Sequence, residues 1–173
     1  DFNGDGKDDV AVGVPGEDVG STVNAGAVNV VMGSGAGLTT NNNQLLTQAV
    51  SGAGLVETND AFGTAVTAGD FNGDGYGDLA VGSGLENIYS SPAAGAVNII
   101  FGSAIGLQTA GNVVLSQVNS RIEGWSETAD YFGSALASGD FDNDGKDDLV
   151  IGVPGEAIGT TNTAGMANIH YFD

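Results

Sequence analysis

The chain has 173 residues, 22 acidic against 3 basic side chains, a formal net charge of −19 and no cysteine. This length suffices for one domain with a real core, while the charge repels nucleic acid and anionic lipid and argues against both as partners. The missing cysteines exclude a disulfide framework and thiol chemistry, and the longest largely apolar stretch, residues 96–107, is too short to span a membrane, so no membrane insertion is expected.

An aspartate-rich loop opens the chain and occurs three times, at residues 1–9, 70–78 and 140–148; we call these the aspartate loops. Oxygen-bearing side chains stand at loop positions 1, 3, 5 and 9 of every copy, position 6 is always glycine, and position 7 can offer its main-chain carbonyl. A short backbone wraps a calcium ion in this way, because calcium takes about six to eight oxygen ligands. A turn that is merely soluble has no reason to repeat this spacing. The sequence therefore predicts three Ca²⁺ sites, with the ligands Asp1, Asn3, Asp5, Lys7 and Asp9 in the first, Asp70, Asn72, Asp74, Tyr76 and Asp78 in the second, and Asp140, Asp142, Asp144, Lys146 and Asp148 in the third.

The residues after each aspartate loop favour a strand over a helix. An EF-hand needs an acidic residue at loop position 12, where this chain has Val12, Val81 and Ile151. These residues belong to short runs rich in β-branched side chains, as buried strands do. Each aspartate loop is therefore expected to lie in a hairpin between two strands.

Similarity between the copies extends beyond the loops, with a period of about 70 residues. Segments of the Gly-Ala-Val-Asn type recur at 25–30, 94–99 and 164–169, and in register with them stand Glu17, Glu86 and Glu156. The dipeptides Phe62-Gly63 and Phe132-Gly133 each lead a segment of small residues that fits an inner strand. Each unit is predicted to have four strands, the outermost at residues 43–50 or 113–118. Four antiparallel strands per repeat are typical of a β-propeller blade, so the predicted fold class is all-β.

Together these elements resemble the FG-GAP repeats that build the seven-bladed propeller at the head of integrin α subunits and related bacterial proteins. The resemblance rests on the two Phe-Gly dipeptides, on Gly13-Val14-Pro15 and Gly152-Val153-Pro154, and on the aspartate loops between these elements, and it covers nearly the whole chain. One copy departs, because Gly82-Ser83-Gly84 lacks the proline. The resemblance implies that the calcium loops are structural and lie on the face opposite the main partner-binding loops.

The predicted strands number three, four and three, because the first copy lacks its inner strand and the last copy lacks an outer one. We expect a single propeller segment over residues 1–173, with a partial blade at 1–50, a full blade at 51–120 and a partial blade at 121–173. Propellers close with about four to eight blades. The chain is therefore expected to form an incomplete ring that belongs to a larger propeller, and its unpaired edges offer a route to edge-to-edge self-association.

The sequence offers little material for catalysis. His170 is the only histidine, has no counterpart in the other copies and is expected at a strand surface or edge. Tight acidic clusters belong to the aspartate loops, and acidic residues outside them recur with the repeat, which indicates scaffold. Trp125 aligns with Leu55 and is expected to pack inside. We therefore expect no enzyme.

Calcium loops of the weak extracellular kind need about millimolar calcium, so a secreted or cell-surface location is expected. The favoured function is a calcium-binding, non-catalytic module for adhesion or recognition of a protein or glycan ligand. One alternative is an accessory propeller domain of a larger secreted hydrolase. Another is a purely structural repeat of a large surface protein.

Overall fold

The computed structural model describes residues 1–51, 55–118, 122 and 124–172. In this part of the chain, ten strands form three antiparallel sheets. The elements are β1 (Val10–Val14), β2 (Ala27–Val31), β3 (Gln44–Leu46), the single helical turn α1 (Gln48–Ser51), β4 (Ala65–Gly69), β5 (Asp78–Ser83), β6 (Ala96–Ile100), β7 (Val113–Leu115), β8 (Ala135–Gly139), β9 (Asp148–Val153) and β10 (Met166–His170). Sheet 1 contains β1 to β3, sheet 2 contains β4 to β7, and sheet 3 contains β8 to β10. The all-β prediction and the strand count of three, four and three are confirmed.

Strands that follow one another in the chain are neighbours in each sheet, so every sheet is a meander. In sheet 2, Gly69 at the end of β4 pairs with Asp78 at the start of β5. In sheet 3, Gly139 of β8 pairs with Asp148 of β9 in the same way. The second and third aspartate loops are therefore hairpin connections, as expected. No helix among the described residues is long and apolar enough to cross a membrane.

Among the described residues, two hydrophobic cores hold the sheets together, one at each junction. The first is formed by apolar residues of sheets 1 and 2, including Phe2, Val30 and Val81, and the second by residues of sheets 2 and 3, including Phe71 and Ile151. Sheet 2 contributes to both cores, which is why every residue of β5 and β6 is buried. Continuous apolar strands of this kind are expected when both faces of a sheet are covered.

The Phe-Gly dipeptides connect each sheet to the one before it. The main-chain N–H of Phe62 donates to the carbonyl of Ala25 (2.9 Å), and the N–H of Phe132 donates to the carbonyl of Ala94 (2.9 Å). Both phenylalanine side chains are completely buried. The residues that lead into an inner strand therefore dock on the preceding sheet before the strand pairs within its own.

The outer strands are shorter than predicted. The expected strand at 43–50 is limited to β3, after which the chain forms the helical turn α1, and the expected strand at 113–118 is limited to β7. The physical reason lies in Gln48 and Gln117, whose buried side chains enter the junction with the following sheet instead of continuing the ladder. The blade boundaries expected at 50/51 and 120/121 stay a prediction, and residues 119–121 lie outside the described part.

The prediction that Trp125 packs inside is wrong, because its side chain is 84% exposed. Leu55, with which it aligns, is 80% exposed. Both residues stand in the connections that lead from one sheet to the next, and such connections run over the surface. His170 lies at the end of β10, an edge strand, as expected, and its ring meets that of Phe172 edge-on with centroids 4.7 Å apart.

Candidate metal centre

The three aspartate loops lie side by side at one end of the sheets. The second and third connect the first two strands of their sheets, and the first leads into β1. Neighbouring loops touch through equivalent positions: the N–H of Gly77 donates to the carbonyl of Asp1 (2.9 Å), and the N–H of Asp147 donates to the carbonyl of Asp70 (2.9 Å). Each loop is therefore hydrogen-bonded directly to the loop of the neighbouring sheet.

Position 7 adds a side-chain contact between loops. The Tyr76 ring covers Gly4 so closely that a Cβ there would lie 2.6 Å from the ring, and the aliphatic part of Lys146 lies over Gly73 in the same way. Lys7 has no preceding loop within the described residues, and its ammonium group lies near the carbonyls of its own loop.

The side chains at positions 1, 3 and 5 are held by one set of main-chain hydrogen bonds, identical in all three loops. The position 1 carboxylate accepts from the N–H groups of positions 5 and 6, position 3 accepts from position 5, and position 5 accepts from position 7. The distances lie between 2.7 and 3.1 Å for Asp1, Asn3 and Asp5, between 2.9 and 3.0 Å for Asp70, Asn72 and Asp74, and between 2.9 and 3.1 Å for Asp140, Asp142 and Asp144. Each oxygen has about two lone pairs, so these side chains are oriented and still retain capacity for a cation.

The aspartate at position 9 ties each loop to its sheet. One oxygen of Asp78 accepts from the N–H of Phe71 (2.9 Å) and the other from the N–H of Gly102, just beyond β6 (2.8 Å). The same pair of bonds is made by Asp9, at 2.7 Å to both Phe2 and Gly33, and by Asp148, at 3.0 Å to Phe141 and 3.3 Å to Phe172. The sequence analysis did not predict this structural role. The sequence feature that could have indicated it is the aspartate that recurs at position 9 of every loop.

Carboxylates crowd together in the third loop. One oxygen each from Asp140, Asp142 and Asp148 lies within 4.8 Å of the other two. Partial desolvation, followed by repulsion from neighbouring carboxylates, raises the pKa of Asp142 above its ordinary value. In the second loop, burial raises the pKa of Asp78 to about 6 against the opposing effect of its two N–H donors. Both shifts mean that the surroundings of these carboxyl groups disfavour their charged form.

The donor set fits a hard cation. The predicted ligand atoms are carboxylate, amide and main-chain carbonyl oxygens, which is the ligand chemistry of Ca²⁺ and not that of zinc or copper, which favour imidazole and thiolate. Among the side chains at positions 1, 3, 5 and 9, the first two loops differ from the third in one respect, because Asn3 and Asn72 stand where the third has Asp142. The three loops thus have one geometry and two levels of charge.

A buried glutamine–glutamate pair joins consecutive sheets away from the loops. The Gln48 amide donates to the Glu86 carboxylate at 2.5 Å, and the Gln117 amide donates to Glu156 at the next junction. Burial raises the pKa of Glu86 to about 7, helped by the nearby carboxylates Asp60 and Glu57 and opposed by the bond from Gln48. The sequence shows both glutamines in register, but not that they reach the glutamates.

We expect the Glu86→Gln variant to lose a pH dependence of stability. The folded-state pKa of Glu86, about 7, lies above its ordinary 4.5, so the folded state holds this proton more tightly and stability falls as pH rises through that window. Glu86→Gln keeps an acceptor for Gln48. It should match the wild type below pH 4.5 and exceed it above pH 7 by up to about 3 kcal/mol.

Urea unfolding from pH 4 to 8 at constant calcium measures this difference. The matched control is Glu17→Gln, because Glu17 is the exposed counterpart of Glu86. A Glu86→Gln curve parallel to the wild type at every pH would contradict the assignment.

The segments that match a known protein family coincide with the repeat seen in the structure. The profile of the FG-GAP repeat matches residues 1–31, 62–100 and 132–166, which is more than half of the chain. The first match contains an aspartate loop and the first two strands of its sheet. The other two each begin at a Phe-Gly dipeptide and continue through an aspartate loop.

Curated relatives fall into two groups. Phosphatidylinositol-glycan-specific phospholipase D of Rattus norvegicus is 35% identical over 112 residues, 63% of this chain and 13% of that protein. Integrin alpha-PS5 of Drosophila melanogaster is 34% identical over 178 residues, 98% of this chain and 16% of that protein. Integrin alpha-4 of Xenopus laevis is 32% identical over 96 residues, 55% of this chain and 8% of that protein. The chain spans less than a fifth of the length of these relatives.

Proposed function

The chain belongs to the FG-GAP repeat family, and from this premise we propose that it is a non-catalytic propeller segment whose aspartate loops bind three Ca²⁺ ions. We also propose that the end opposite these loops recognises a protein or glycan outside the cell. The observation that carries the calcium assignment is the set of main-chain hydrogen bonds that repeats in all three loops. These hydrogen bonds alone orient the same oxygen-bearing side chains in each loop.

Calcium would act by reversing the sign of the electrostatic interaction within each loop. Two carboxylates 4 Å apart repel by about 1 kcal/mol in water and by more where water is partly excluded. A divalent ion placed between them replaces repulsion by attraction. Because each loop touches its neighbour, an ion in one loop also stabilises the junction between two sheets.

The position 3 side chain is expected to set the affinity of each site. Asp142→Asn removes one ligand charge from the third loop, and Asn72→Asp adds one to the second. Because ligand charge tunes calcium affinity, each substitution should shift its own site by about tenfold, in opposite directions. Isothermal titration calorimetry measures both, with three ions per chain expected for the wild type.

The two substitutions serve as controls for each other, since they alter equivalent positions with opposite charge change. The proposal would be contradicted if the wild-type protein bound no calcium. It would also be contradicted if neither substitution changed the calcium affinity of its site.

The proposed recognition surface is the end opposite the aspartate loops. β5 runs away from the second loop, so the β5–β6 connection lies at that far end, as does the connection from β7 to β8. These connections present Tyr89, 91% exposed, and Trp125, 84% exposed. They are tied together by the Ser91 hydroxyl, which donates to the Ser126 carbonyl at 2.9 Å. Exposed aromatic rings on anchored loops are typical of binding sites.

Tyr89→Ala and Trp125→Ala are expected to abolish ligand capture while leaving the melting temperature within about 2 °C of the wild type, because neither ring packs in a core. Glycan and matrix-protein arrays with calcium present provide the measurement. Leu55→Ala, equally exposed on the connection between sheets 1 and 2, is the control. Undiminished capture by both aromatic variants would exclude this end as the binding face.

A second candidate is an accessory propeller within a larger secreted enzyme. It is favoured by the similarity to a phospholipase D, of which the match covers 13%. With one histidine and no cysteine, this chain has little material for a hydrolytic triad. The sequence of the full-length gene product distinguishes the two candidate functions, since a neighbouring domain with a set of catalytic residues would favour the accessory propeller.

A further inference from the structure

The aspartate at position 8 of the third loop, Asp147, contacts the second loop with both its main chain and its side chain. Its N–H donates to the carbonyl of Asp70 (2.9 Å), and its carboxylate accepts from the N–H of the same Asp70 (2.8 Å). Asp147 is not one of the predicted calcium ligands, whereas Asp70 is the first ligand of the second loop. Both main-chain hydrogen-bonding groups of that ligand are therefore held by one residue of the neighbouring loop.

The side chain of Asp147 fits closely against the chain that leads into the second loop. A Cβ at Gly69 would lie 2.9 Å from the Cβ of Asp147 and 2.9 Å from one of its carboxylate oxygens. Distances below about 3 Å would force one of the two to move. Gly69 therefore leaves the space that Asp147 needs to reach the N–H of Asp70.

The contact between the first and second loops lacks the side-chain half of this arrangement. Position 8 of the second loop is Gly77, whose N–H donates to the carbonyl of Asp1 (2.9 Å). Glycine has no side chain that could accept from the N–H of the residue it faces. Asp1 is exposed, whereas Asp70, which faces Asp147, is half-buried. Of these two loops, the second is thus the one whose first ligand is held by a side chain of its neighbour.

The position of Asp70 matters for the whole second loop. Its carboxylate accepts from the N–H groups of Asp74 (3.0 Å) and Gly75 (2.9 Å), so it links the start of the loop to its middle. With its own N–H and carbonyl fixed by Asp147, Asp70 has little freedom to rotate its main chain. Ligands that are held in place before binding lose less conformational entropy when they bind.

We propose that Asp147 is a positioning residue for the second calcium site, whose first ligand it holds from the neighbouring sheet. The inference rests on the proposed binding of calcium by the aspartate loops. The second site then depends on two sheets, although all of its predicted ligands lie in one loop. By thermodynamic linkage, calcium in the second loop also favours the contact between Asp70 and Asp147.

The test uses the full chain reduced to one site. Asp5→Ala and Asp144→Ala together disable the first and third loops, so that isothermal titration calorimetry with calcium chloride measures the second site alone. In this background, Asp147→Ala is expected to weaken calcium binding at least about fivefold, because the hydrogen bond that fixes the first ligand is lost. Asp147→Asn keeps an acceptor oxygen without the charge and should stay within about twofold of the parent.

Two further variants make the result specific. Asp8→Ala is the matched control in the same background, because Asp8 is the exposed position 8 residue of the first loop and its loss removes an equal charge. It should leave the affinity unchanged. Asp147→Gly places at position 8 the residue that the second loop already has there, so folding is not at risk, and it should weaken binding as Asp147→Ala does. A contact that served only to hold two sheets together would leave the calcium affinity of all these variants unchanged.

Unchanged affinity in both Asp147→Ala and Asp147→Gly would overturn the inference. An equal loss in Asp147→Asn would overturn it too, since the missing charge alone would then account for the effect. The wild-type titration separates this failure from failure of the proposed function. A wild type that binds three ions, with a second site that is indifferent to Asp147, contradicts the inference alone, whereas a wild type that binds no calcium contradicts both.

Discussion

Chelating calcium is expected to lower the melting temperature of the protein by more than about 10 °C. A site that binds only the folded state stabilises it by about 2.7 kcal/mol at a hundredfold excess over Kd, so three independent sites give about 8 kcal/mol. For a chain of this size, 1 kcal/mol corresponds to about 2–4 °C. Differential scanning calorimetry in millimolar calcium, and again after addition of EDTA, measures the shift.

Two controls separate ion binding from other effects of the chelator. EDTA saturated with calcium should leave the melting curve unchanged. The triple variant Asp5→Ala, Asp74→Ala and Asp144→Ala removes one ligand from each loop and should melt at the low temperature with or without EDTA. A wild-type curve that EDTA does not move would refute a stabilising role for calcium.

Gly82→Ala is expected to destabilise the fold by about 3 kcal/mol, or about 6–12 °C in melting temperature. Gly82 lies in β5, where the Gly133 carbonyl of the next sheet passes directly over it. A Cβ at this place would overlap that carbonyl oxygen, and main-chain atoms cannot rotate away as a flexible side chain can. The junction between sheets 2 and 3 must therefore open, and chemical denaturation measures the loss.

Gly152→Ala is the matched control, because Gly152 is the counterpart of Gly82 in sheet 3. There an added Cβ meets the Ala135 Cβ at 3.2 Å, a contact that a small displacement relieves. We expect a cost below about 1 kcal/mol. Equal losses in the two variants would show that the cost arises within a strand rather than from the packing of one sheet on the next.

The aspartate loops could be predicted from the sequence because their geometry is local. The main-chain hydrogen bonds that orient the side chains at positions 1, 3 and 5 join residues at most five apart, as between Asp1 and Gly6 at 2.7 Å. Spacing along the chain therefore determines spacing in space. The same reasoning predicted the strand after each loop, since the apolar side chains of Val81 and Ile151 could not serve as the calcium ligand that an EF-hand has at loop position 12.

The junctions between sheets could not be predicted in this way. A repeated pattern shows which residues occupy equivalent positions, but it does not show whether those positions are buried or exposed. Trp125 aligns with Leu55 as inferred, yet both are exposed, since nothing in the alignment says whether the shared position is inside. Gln48 and Glu86 are 38 residues apart in the sequence, and no local sequence pattern predicts so distant a hydrogen-bond partner. The outer strands end early for the same reason, because that contact diverts the chain.

In the part of the chain that the structure describes, each hydrophobic core belongs to one pair of consecutive sheets, and sheet 2 contributes to both. The architecture is consequently modular in one dimension, with an energy that is a sum of nearest-neighbour terms. A substitution at one junction is therefore expected to leave the packing at the other junction unchanged.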